Sequence, residues 1–261
     1  ENLPYFSNNE DMVVQDDIDI VFECLNGLEP ANTLIQKALK KGKHVISSNK
    51  AVVATYLDTY LELEEEYGGS IQVEACVAGG IPFIDALLKL KRLEPLQGYE
   101  GIFNGTSNYI LDSMQKNNLD FEDVLKEAQD KGYAEKDPSN DIDGVDVYYK
   151  TKISNSLAFN TPIVDIPYYA GIRTIKMLDI KFIKMNNKVI RHLSISRQID
   201  DKIISIIAPC CMDENDFLAN VPSNYNAQKI LSHSFDTLGY YGQGAGQLPT
   251  AQAMVQNALD T

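Results

Sequence analysis

Residues 18–47 read IDIVFECLNGLEPANTLIQKALKKGKHVIS, and this stretch decides the fold class. The apolar run at 18–24 has the length of a buried strand, and residues 44–47 predict a second strand. Residues 30–41 lie between them and have a helical pattern, with Pro30 at the first helical position. A strand, a helix and another strand in this order form a βαβ unit with parallel strands and a right-handed crossover. The stretch therefore predicts an α/β protein.

The same pattern continues downstream, because residues 56–67 predict a second helix and residues 71–75 a third strand. This alternation indicates a doubly wound, Rossmann-like α/β domain. Ligands of such domains bind beyond the carboxyl ends of the strands. This position alone does not decide whether Lys50 binds a ligand or is a solvated lysine in a loop. The polar residues that follow the first two strands are Asn26, Ser48, Asn49 and Lys50.

Beyond residue 76 the chain predicts a mixed α+β domain. Residues 79–82 (GGIP) lead into a helix, and residues 99–103 predict a strand. Residues 104–107 (NGTS) form a turn that caps the next helix. Two segments within residues 194–209 predict antiparallel strands that cover a core.

A run of acidic residues precedes a single lysine in GYAEKDPSNDIDGVDVYYK, residues 132–150. Proline and glycine mark residues 135–143 as a loop, and the residues after it have helical spacing. Asp146 and Lys150 are four residues apart, so they lie on one face of that helix. Such a pair is commonly an exposed ion pair that contributes about 0.3–0.5 kcal/mol. The acidic loop would repel itself unless it faced a cation, which favours a site with a partly buried, proton-exchanging lysine.

The composition argues against several classes of function. The formal net charge of −14 disfavours binding to nucleic acids or anionic membranes, because phosphate contacts need clusters of lysine and arginine. The sequence contains no run of about 18 apolar residues, so no segment is predicted to span a membrane. The four cysteines and three histidines lack the spacing of a zinc site. The first residues lack the features of a secretory signal, so we expect reduced thiols and a cytoplasmic location.

Five segments of the chain form a distinctive series: ISSNKAVVA (46–54), VEACVAGGIPFIDAL (73–87), GIFNGTSNYIL (101–111), residues 132–150 and YGQGAGQLPTAQAMV (241–255). In this order they resemble the sequence landmarks of homoserine dehydrogenases. The resemblance implies an oxidoreductase that transfers hydride reversibly between L-aspartate 4-semialdehyde and L-homoserine, using NAD or NADP, in threonine and methionine biosynthesis. It also implies a homodimer.

Two other interpretations stay open. The chain could be the dehydrogenase half of a fused aspartokinase–homoserine dehydrogenase. It could also be a catalytically silent homologue that binds an amino acid and regulates another activity, although the residues expected for catalysis are present.

The expected chemistry suggests roles for individual residues. Reduction of an aldehyde places negative charge on its oxygen, so a proton donor must lie within hydrogen-bond reach. Lys150 is the candidate general acid and base, and Asp146 is the candidate that orients it and binds the substrate hydroxyl. Further candidates for substrate binding are Glu135 for the α-ammonium group, Asp141 behind it, Thr106 at the nicotinamide–substrate junction, and Lys50 near the reacting oxygen or the carboxylate.

The segment Gly242-x-Gly244-x-Gly246 imitates a dinucleotide fingerprint, but too few residues follow it to complete a βαβ unit. The resemblance implies instead that this turn closes over the nicotinamide and that the last helix packs back onto the nucleotide-binding domain. The candidates for cofactor binding are therefore Asn26, Ser48, Asn49, Lys50, Gly132, Gly244, Ala245 and Gly246.

Residues 74–81 (EACVAGGI) resemble a loop that binds a monovalent cation, Na⁺ in some relatives, largely through backbone carbonyls. An ordinary glycine turn before a proline-initiated helix is the other interpretation. The candidate ligands are Glu74, Val77, Gly79 and Ile81.

No GxGxxG segment precedes residue 18, so we expect the chain to lack the first part of its nucleotide-binding domain. The choice between NAD and NADP is open for the same reason. We predict that residues 1–75 and 238–261 form the nucleotide-binding domain. Residues 76–237 are then expected to form a domain for substrate binding, catalysis and dimerisation.

Overall fold

The structure is a computed structural model that describes residues 9–261, so the first eight residues of the predicted nucleotide-binding domain lie outside the described residues. The helices are α1 (Asn9–Met12), α2 (Ala31–Leu39), α3 (Lys50–Tyr67), α4 (Phe83–Leu90), α5 (Gly105–Asn117), α6 (Phe121–Asp130), α7 (Ser139–Ile142), α8 (Val145–Phe159), α9 (Met177–Met185) and α10 (Gln247–Asp260). The strands are β1 (Ile20–Glu23), β2 (His44–Ser47), β3 (Ser70–Gln72), β4 (Gly98–Ile102), β5 (Lys188–Ile199), β6 (Lys202–Asp213), β7 (Asn226–Ser232) and β8 (Asp236–Gly242).

The first three strands form a parallel sheet in the order β1-β2-β3. Val45 of the central strand lies opposite Val21 on one side and Ile71 on the other. The intervening helix α2 buries Leu34 and Ile35, as its apolar spacing requires. The predicted βαβ arrangement and the α/β class are therefore confirmed.

Helix α3 begins at Lys50, six residues earlier than the predicted start at residue 56. The reason is the side chain of Asn49, which accepts a hydrogen bond from the backbone N–H of Val52 and caps the helix. The helix ends as predicted at Gly68, whose φ of +78° is left-handed. Lys50 consequently lies in a first helical turn and not in a loop.

The second sheet is antiparallel, with the strand order β6-β5-β4-β7-β8. β5 and β6 form a hairpin in which each strand has 12 residues, longer than the predicted segments within residues 194–209. Gly101 pairs with both β5 and β7 at the centre of the sheet. This confirms the predicted antiparallel strands of the α+β part.

A single apolar core runs through both parts of the chain. It includes Val45 of the parallel sheet, Leu57 of α3, Tyr99 of the antiparallel sheet and Val147 of α8. Phe83 packs edge-on against Tyr99, with ring centroids 5.6 Å apart. Because α8 packs against both α3 and the second sheet, its residues lie at the junction of the two sheets. The division into two domains stays a prediction.

Two predicted segments differ from the structure. The third strand covers only Ser70–Gln72, because the chain turns at once into the 3-10 helix Glu74–Cys76. The predicted loop 135–143 contains the one-turn helix α7, in which the backbone N–H of Asp143 bonds to the oxygen of Ser139. Among the helices of residues 9–261, none has both the length and the apolar character needed to cross a membrane.

Candidate active site

A cleft of about 560 Å³ lies where the segments after β2, β3 and β4 meet the glycine turn that follows β8. A second chamber of about 320 Å³ adjoins it, and Ser48, Lys50, Asp141 and Asp146 line both spaces. The predicted residues that line only the first are Thr106, Gly132, Lys150, Gly244, Ala245 and Gly246. Those that line only the second are Asn26, Asn49 and Glu135. The fold thus gathers the predicted catalytic, substrate and cofactor residues around two adjoining chambers.

Helix α8 holds the predicted catalytic pair. The Nζ atom of Lys150 donates a hydrogen bond of 2.7 Å to Oδ2 of Asp146 and another of 2.7 Å to the backbone oxygen of Phe103. Lys150 is 8% exposed and Asp146 7%, so the pair is not the exposed surface ion pair that this spacing commonly forms. An ammonium group has three hydrogens. Two of the hydrogens on Lys150 form hydrogen bonds to acceptors within the protein, and the side chain lines the cleft.

The carboxylate of Asp146 lies between two lysines. Lys50 approaches its other oxygen, Oδ1, at 3.2 Å. Burial opposes the charged form of Asp146, but Lys150, Lys50 and a hydrogen bond from Asn104 outweigh it and hold the pKa of Asp146 at about 2. The charge of Asp146 in turn raises the pKa of Lys50. The cluster therefore carries two ammonium groups against one firmly ionised carboxylate.

Asn104 joins the two acidic residues of the site. Its Oδ1 caps α5 by accepting from the N–H of Ser107. Its Nδ2 donates to Oδ1 of Asp141 at 2.7 Å and to Oδ2 of Asp146 at 2.9 Å. Burial raises the pKa of Asp141, against the lowering effect of the Asn104 hydrogen bond. Sequence reasoning assigned residue 104 only a capping role. The missed signal is that a capping asparagine keeps two N–H donors on its amide, enough to bond two further acceptors, whereas a capping serine keeps one O–H donor.

The substrate candidate Thr106 on α5 and the cofactor candidate Asn49 before α3 have structural contacts of their own. The hydroxyl of Thr106 donates to the backbone oxygen of Tyr133 at 2.6 Å and so fixes the segment that contains Gly132. The Nδ2 of Asn49 donates to the oxygen of Gly27 at 2.8 Å and joins the loops after β1 and β2. Sequence reasoning did not select the other polar residues of the first chamber, which are Tyr133, Asn224, Gln243 and Thr250.

The glycine turn, Gly242–Gly246, packs tightly onto the loop that follows β3. The N–H of Gly80 donates to the oxygen of Gln243 at 3.2 Å. Gly79 has a φ of +57°, and a Cβ on it would lie 2.6 Å from the carbonyl carbon of Gly244. The strand β8 that leads into this turn is antiparallel to its neighbour, and α10 follows it. The turn therefore lacks the βαβ context of a dinucleotide fingerprint.

Comparisons with known proteins decide the family. The model of the family described as "Homoserine dehydrogenase" matches residues 82–259, and that described as "Homoserine dehydrogenase, NAD binding domain" matches residues 2–74. The chain belongs to the homoserine dehydrogenase family. It is 38% identical over 251 residues to the homoserine dehydrogenase of Neisseria gonorrhoeae and 37% identical over 257 residues to that of Synechocystis. These matches cover 96% of this chain but only 58% and 59% of the two relatives.

Solved structures of homoserine dehydrogenases have the same fold. The enzyme from Thiobacillus denitrificans superposes with a TM-score of 0.94 at 38% identity, covering 99% of this chain and 60% of that one. A hyperthermophilic archaeal homoserine dehydrogenase in complex with NADPH superposes with a TM-score of 0.84 at 26% identity, covering 98% of this chain and 75% of that one. The chain thus spans about three fifths of the first of these proteins and three quarters of the second.

In this member of the homoserine dehydrogenase family, the predicted cation loop lies beside the cleft. The carboxylate of Glu74 accepts hydrogen bonds from the N–H groups of Ile84 and Asp85, at 3.0 and 2.7 Å, and so caps α4. The carbonyl oxygens of Glu74 and Ile81 already accept bonds from Val77 and Phe83. Within residues 9–261, no three side chains of histidine, cysteine, aspartate or glutamate form a group that could hold a metal ion.

Cys76 lines the cleft but is not arranged as a nucleophile. Its thiol is 2% exposed and donates to the backbone oxygen of Ser47 at 3.2 Å. Burial raises the pKa of this thiol far above its usual range, although Lys50 acts in the opposite direction. The cleft is therefore lined by lysine and carboxylate groups, and Cys76 is not an activated thiol.

Proposed function

We propose that this chain forms the catalytic cleft of a homoserine dehydrogenase, which interconverts L-aspartate 4-semialdehyde and L-homoserine with NAD or NADP. One observation carries the proposal. The buried ammonium of Lys150 is held by Asp146 and the oxygen of Phe103, each at 2.7 Å, while it lines a cleft of about 560 Å³. A buried, oriented ammonium at a cleft is what the reduction of an aldehyde needs, because negative charge develops on the substrate oxygen.

The cleft fits the nicotinamide end of the cofactor. It opens beside residues that follow β2 and β3, where dinucleotides bind in doubly wound sheets. Gly79, Gly244 and Gly246 line the cleft without side chains, which lets a flat ring approach the backbone. When bound, the nicotinamide supplies hydride to the substrate carbon or accepts it. The match of residues 2–74 to an NAD-binding domain supports the same cofactor class.

Proton transfer follows from the geometry around Lys150. The third hydrogen of its ammonium bonds to neither Asp146 nor Phe103, so it is available to the substrate oxygen. Asp146 keeps the ammonium in this orientation and stays ionised at all working pH values, since its pKa is about 2. Lys50 adds a second positive charge near the same carboxylate at 3.2 Å, and it stabilises the developing alkoxide electrostatically. In the oxidative direction Lys150 acts as the neutral amine, which receives the hydroxyl proton and becomes the ammonium again.

The amino-acid end of the substrate is proposed to occupy the second chamber. Glu135 lines it, and its carboxylate is a suitable partner for an α-ammonium group. Asp141 and Asp146 line both chambers, so they mark the point where the amino-acid end joins the reacting carbon. Lys50 lies close enough to this point to contact either the reacting oxygen or the substrate carboxylate.

Three further features belong to the proposal. The antiparallel sheet exposes apolar residues of β6, Ile204 at 56% and Ile206 at 37%, which supports a homodimer built on this sheet. The four cysteines are free, as expected for a cytoplasmic protein. A Na⁺ ion bound by carbonyls of the loop 74–81 is proposed from resemblance, with Glu74, Val77, Gly79 and Ile81 as candidate ligands.

The boundary between the two matched families supports the proposed division near residue 76. The packing of Ala253 and Met254 of α10 against Ile46 and Ala75 supports assigning residues 238–261 to the nucleotide-binding domain.

The test is homoserine-dependent formation of reduced nicotinamide by the protein expressed from its complete gene, with NAD and NADP assayed side by side. We expect turnover with at least one cofactor, and its loss in the Lys150→Ala variant. Folded protein without activity on either cofactor would instead favour a silent amino-acid-binding homologue.

A further inference from the structure

The strand β7 begins with a buried amide that has no partner. Asn226 is 0% exposed, and neither its Nδ2 nor its Oδ1 has a hydrogen-bond partner among the described residues. More than nine in ten buried polar groups in folded proteins are paired, because an unpaired one retains its full desolvation cost. An amide with both ends unpaired therefore needs an explanation.

This amide lies directly against the glycine turn. A Cβ built on Gly244 would be 1.8 Å from Nδ2 of Asn226 and 2.1 Å from its Cγ. The peptide groups on either side of the Gly244 Cα are consequently neighbours of the Asn226 amide, with Nδ2 its nearest atom. Gly244, Ala245 and Gly246 line the cleft on the other side of the same turn. The amide and the nicotinamide end of the cleft are thus separated by one layer of backbone.

The base of this arrangement is fixed, whereas the peptide groups of the glycine turn can rotate. Nδ2 of Asn108, itself 0% exposed, donates to the oxygens of Val221, Ser223 and Tyr225, at 3.2, 2.9 and 3.2 Å. These bonds anchor the segment that leads into Asn226. The turn contains three glycines in five residues, and glycine has the widest range of backbone angles. A modest rotation of the peptides at Gly244 is therefore easier than a shift of Asn226.

We propose that Asn226 is a positioning residue for the reaction: when the nicotinamide end of a cofactor occupies the cleft, the peptide groups of Gly244 and Ala245 turn and hydrogen-bond to the Asn226 amide. These hydrogen bonds fix the position of the glycine turn relative to the site of hydride transfer. Asn226 acts through the turn and does not touch the substrate. The inference rests on the proposed function, because it assigns the nicotinamide to this cleft.

The arrangement also explains why the position opposite Asn226 is a glycine. Any side chain at residue 244 would displace the amide, and displacement would move the turn relative to Gly79 on its other side. The turn is therefore held between two surfaces, the loop that contains Gly79 and the amide of Asn226. The loop already donates from Gly80 to the oxygen of Gln243 in this position, whereas both polar atoms of the Asn226 amide still lack a partner.

The experiment combines fluorescence titration of NADPH and NADH with hydrogen exchange of the backbone amides of residues 243–246. It compares the unaltered protein with Asn226→Leu, which keeps the shape of the side chain without its polar atoms. We expect Asn226→Leu to weaken binding of the preferred cofactor about tenfold, the effect of losing one or two hydrogen bonds. The protection that the cofactor gives to residues 243–246 should disappear in the same variant.

Gln228→Leu is the matched control. Gln228 is a buried amide two residues further along β7, and its Nε2 bonds to the oxygen of Ile102. This variant should lose stability yet bind the cofactor within about twofold of the unaltered protein. Asn226→Ala also removes both polar atoms of the amide, so it should weaken cofactor binding as Asn226→Leu does and provides a second test if Asn226→Leu does not fold.

The outcomes separate the inference from the proposed function. If the unaltered protein binds neither NADPH nor NADH, the proposed function fails, whatever the variants do. If it binds and Asn226→Leu retains both the affinity and the protection of residues 243–246, the inference alone is overturned. A double change, Gly244→Ala with Asn226→Gly, should recover the melting temperature lost in Gly244→Ala but not the cofactor affinity. Recovery of both would also overturn the inference.

Discussion

Two buried aspartates in this molecule have nearly the same charged surroundings, but one lines the cleft and the other lies away from it. Asp146 pairs with Lys150 four residues later at 2.7 Å and with Lys50 at 3.2 Å. Asp112 pairs with Lys116 four residues later at 2.9 Å and with Arg191 at 3.0 Å. Each carboxylate thus lies on a helix between a lysine of its own helix and a second cation from elsewhere. In the sequence, both are simply D-x-x-x-K.

The two pairs differ in whether the lysine is buried together with its aspartate. The side chain of Lys116 is 60% exposed, whereas that of Lys150 is 10% exposed. Around Asp112 the remaining contacts are backbone: Ser223 donates to its Oδ2 at 2.9 Å, and Arg191 donates to the oxygen of Ala219 at 2.7 Å. That cluster fastens the loop before β7. The Asp146 cluster holds an ammonium at the cleft, so one arrangement of charges serves structure in one place and is proposed to serve proton transfer in the other.

The largest effect should come from removing the buried lysine. We expect Lys150→Met to lower kcat for homoserine oxidation by about 10³-fold, because general acid–base catalysis contributes roughly 10²–10⁴-fold. The Michaelis constant for homoserine should change little, since Lys150 acts on the oxygen only as charge develops. Steady-state kinetics at saturating cofactor measure both constants.

Lys152→Met is the control for charge on the same helix. Lys152 pairs with Asp165 at 2.9 Å, away from the residues that line the cleft. Its kcat should match that of the unaltered protein. If Lys150→Met retained more than about a tenth of the original kcat, Lys150 would not be the proton donor, and Lys50 would become the candidate.

The second effect should be on stability and should appear in the other cluster. Asp112→Asn leaves the guanidinium of Arg191, which is 3% exposed, without its carboxylate. Breaking a buried ion pair in this way costs about 3–5 kcal/mol. Urea unfolding should show this loss, while kcat per folded molecule stays unchanged.

Asp146→Asn provides the matched comparison, because both changes remove one charge from a carboxylate between two cations. It should reduce kcat strongly and also cost stability, because the buried ammonium of Lys150 loses its carboxylate, whereas Lys50 is 40% exposed and can be hydrated. If both variants lost the same stability and neither lost turnover, the contrast between the two clusters would be unfounded.

The fold was largely predictable from the sequence because its signals are local. The strand–helix–strand pattern of residues 18–47 and the helix after Gly144 follow from apolar spacing and from glycine and proline positions. The predicted start of α3 is wrong by six residues. The side chain of Asn49 accepts a capping hydrogen bond from the N–H of Val52, so the helix begins at Lys50, in a segment that the sequence also allows as a loop. The helix α7 was missed because one turn has too few residues to show a period.

The site was only partly predictable. The resemblance to homoserine dehydrogenases selected Lys150 and Glu135, and the structure gathers them around adjoining chambers. The second role of Asn104 depends on the distance from its amide to two carboxylates some 40 residues away in sequence, 37 and 42 positions. No local pattern encodes that distance. The same holds for Asn226, whose meaning comes from its contact with Gly244.

A smaller effect is expected at the amino-acid end of the site and extends the comparison to the second chamber. Glu135→Ala should raise the Michaelis constant for homoserine by roughly tenfold with little change in kcat, because a charged hydrogen bond to the α-ammonium acts equally in the ground and transition states. Initial rates over a range of homoserine concentrations give the two constants separately. A selective fall in kcat would move Glu135 from binding into the proton-transfer cluster.

The smallest effect should come from Lys116→Met, the counterpart of Lys150→Met in the structural cluster. Lys116 has the same four-residue spacing from its aspartate, but its side chain is 60% exposed, so its ion pair is expected to contribute about 0.5 kcal/mol. Urea unfolding at low and high salt should show a loss below about 1 kcal/mol that salt removes.

A loss of several kcal/mol would mean that Asp112 depends on both cations, and the two clusters would then differ only in location. A small loss would mean that Arg191 alone compensates the buried carboxylate. The lysine of a D-x-x-x-K pair would then matter only where the fold buries it, as it does at Lys150.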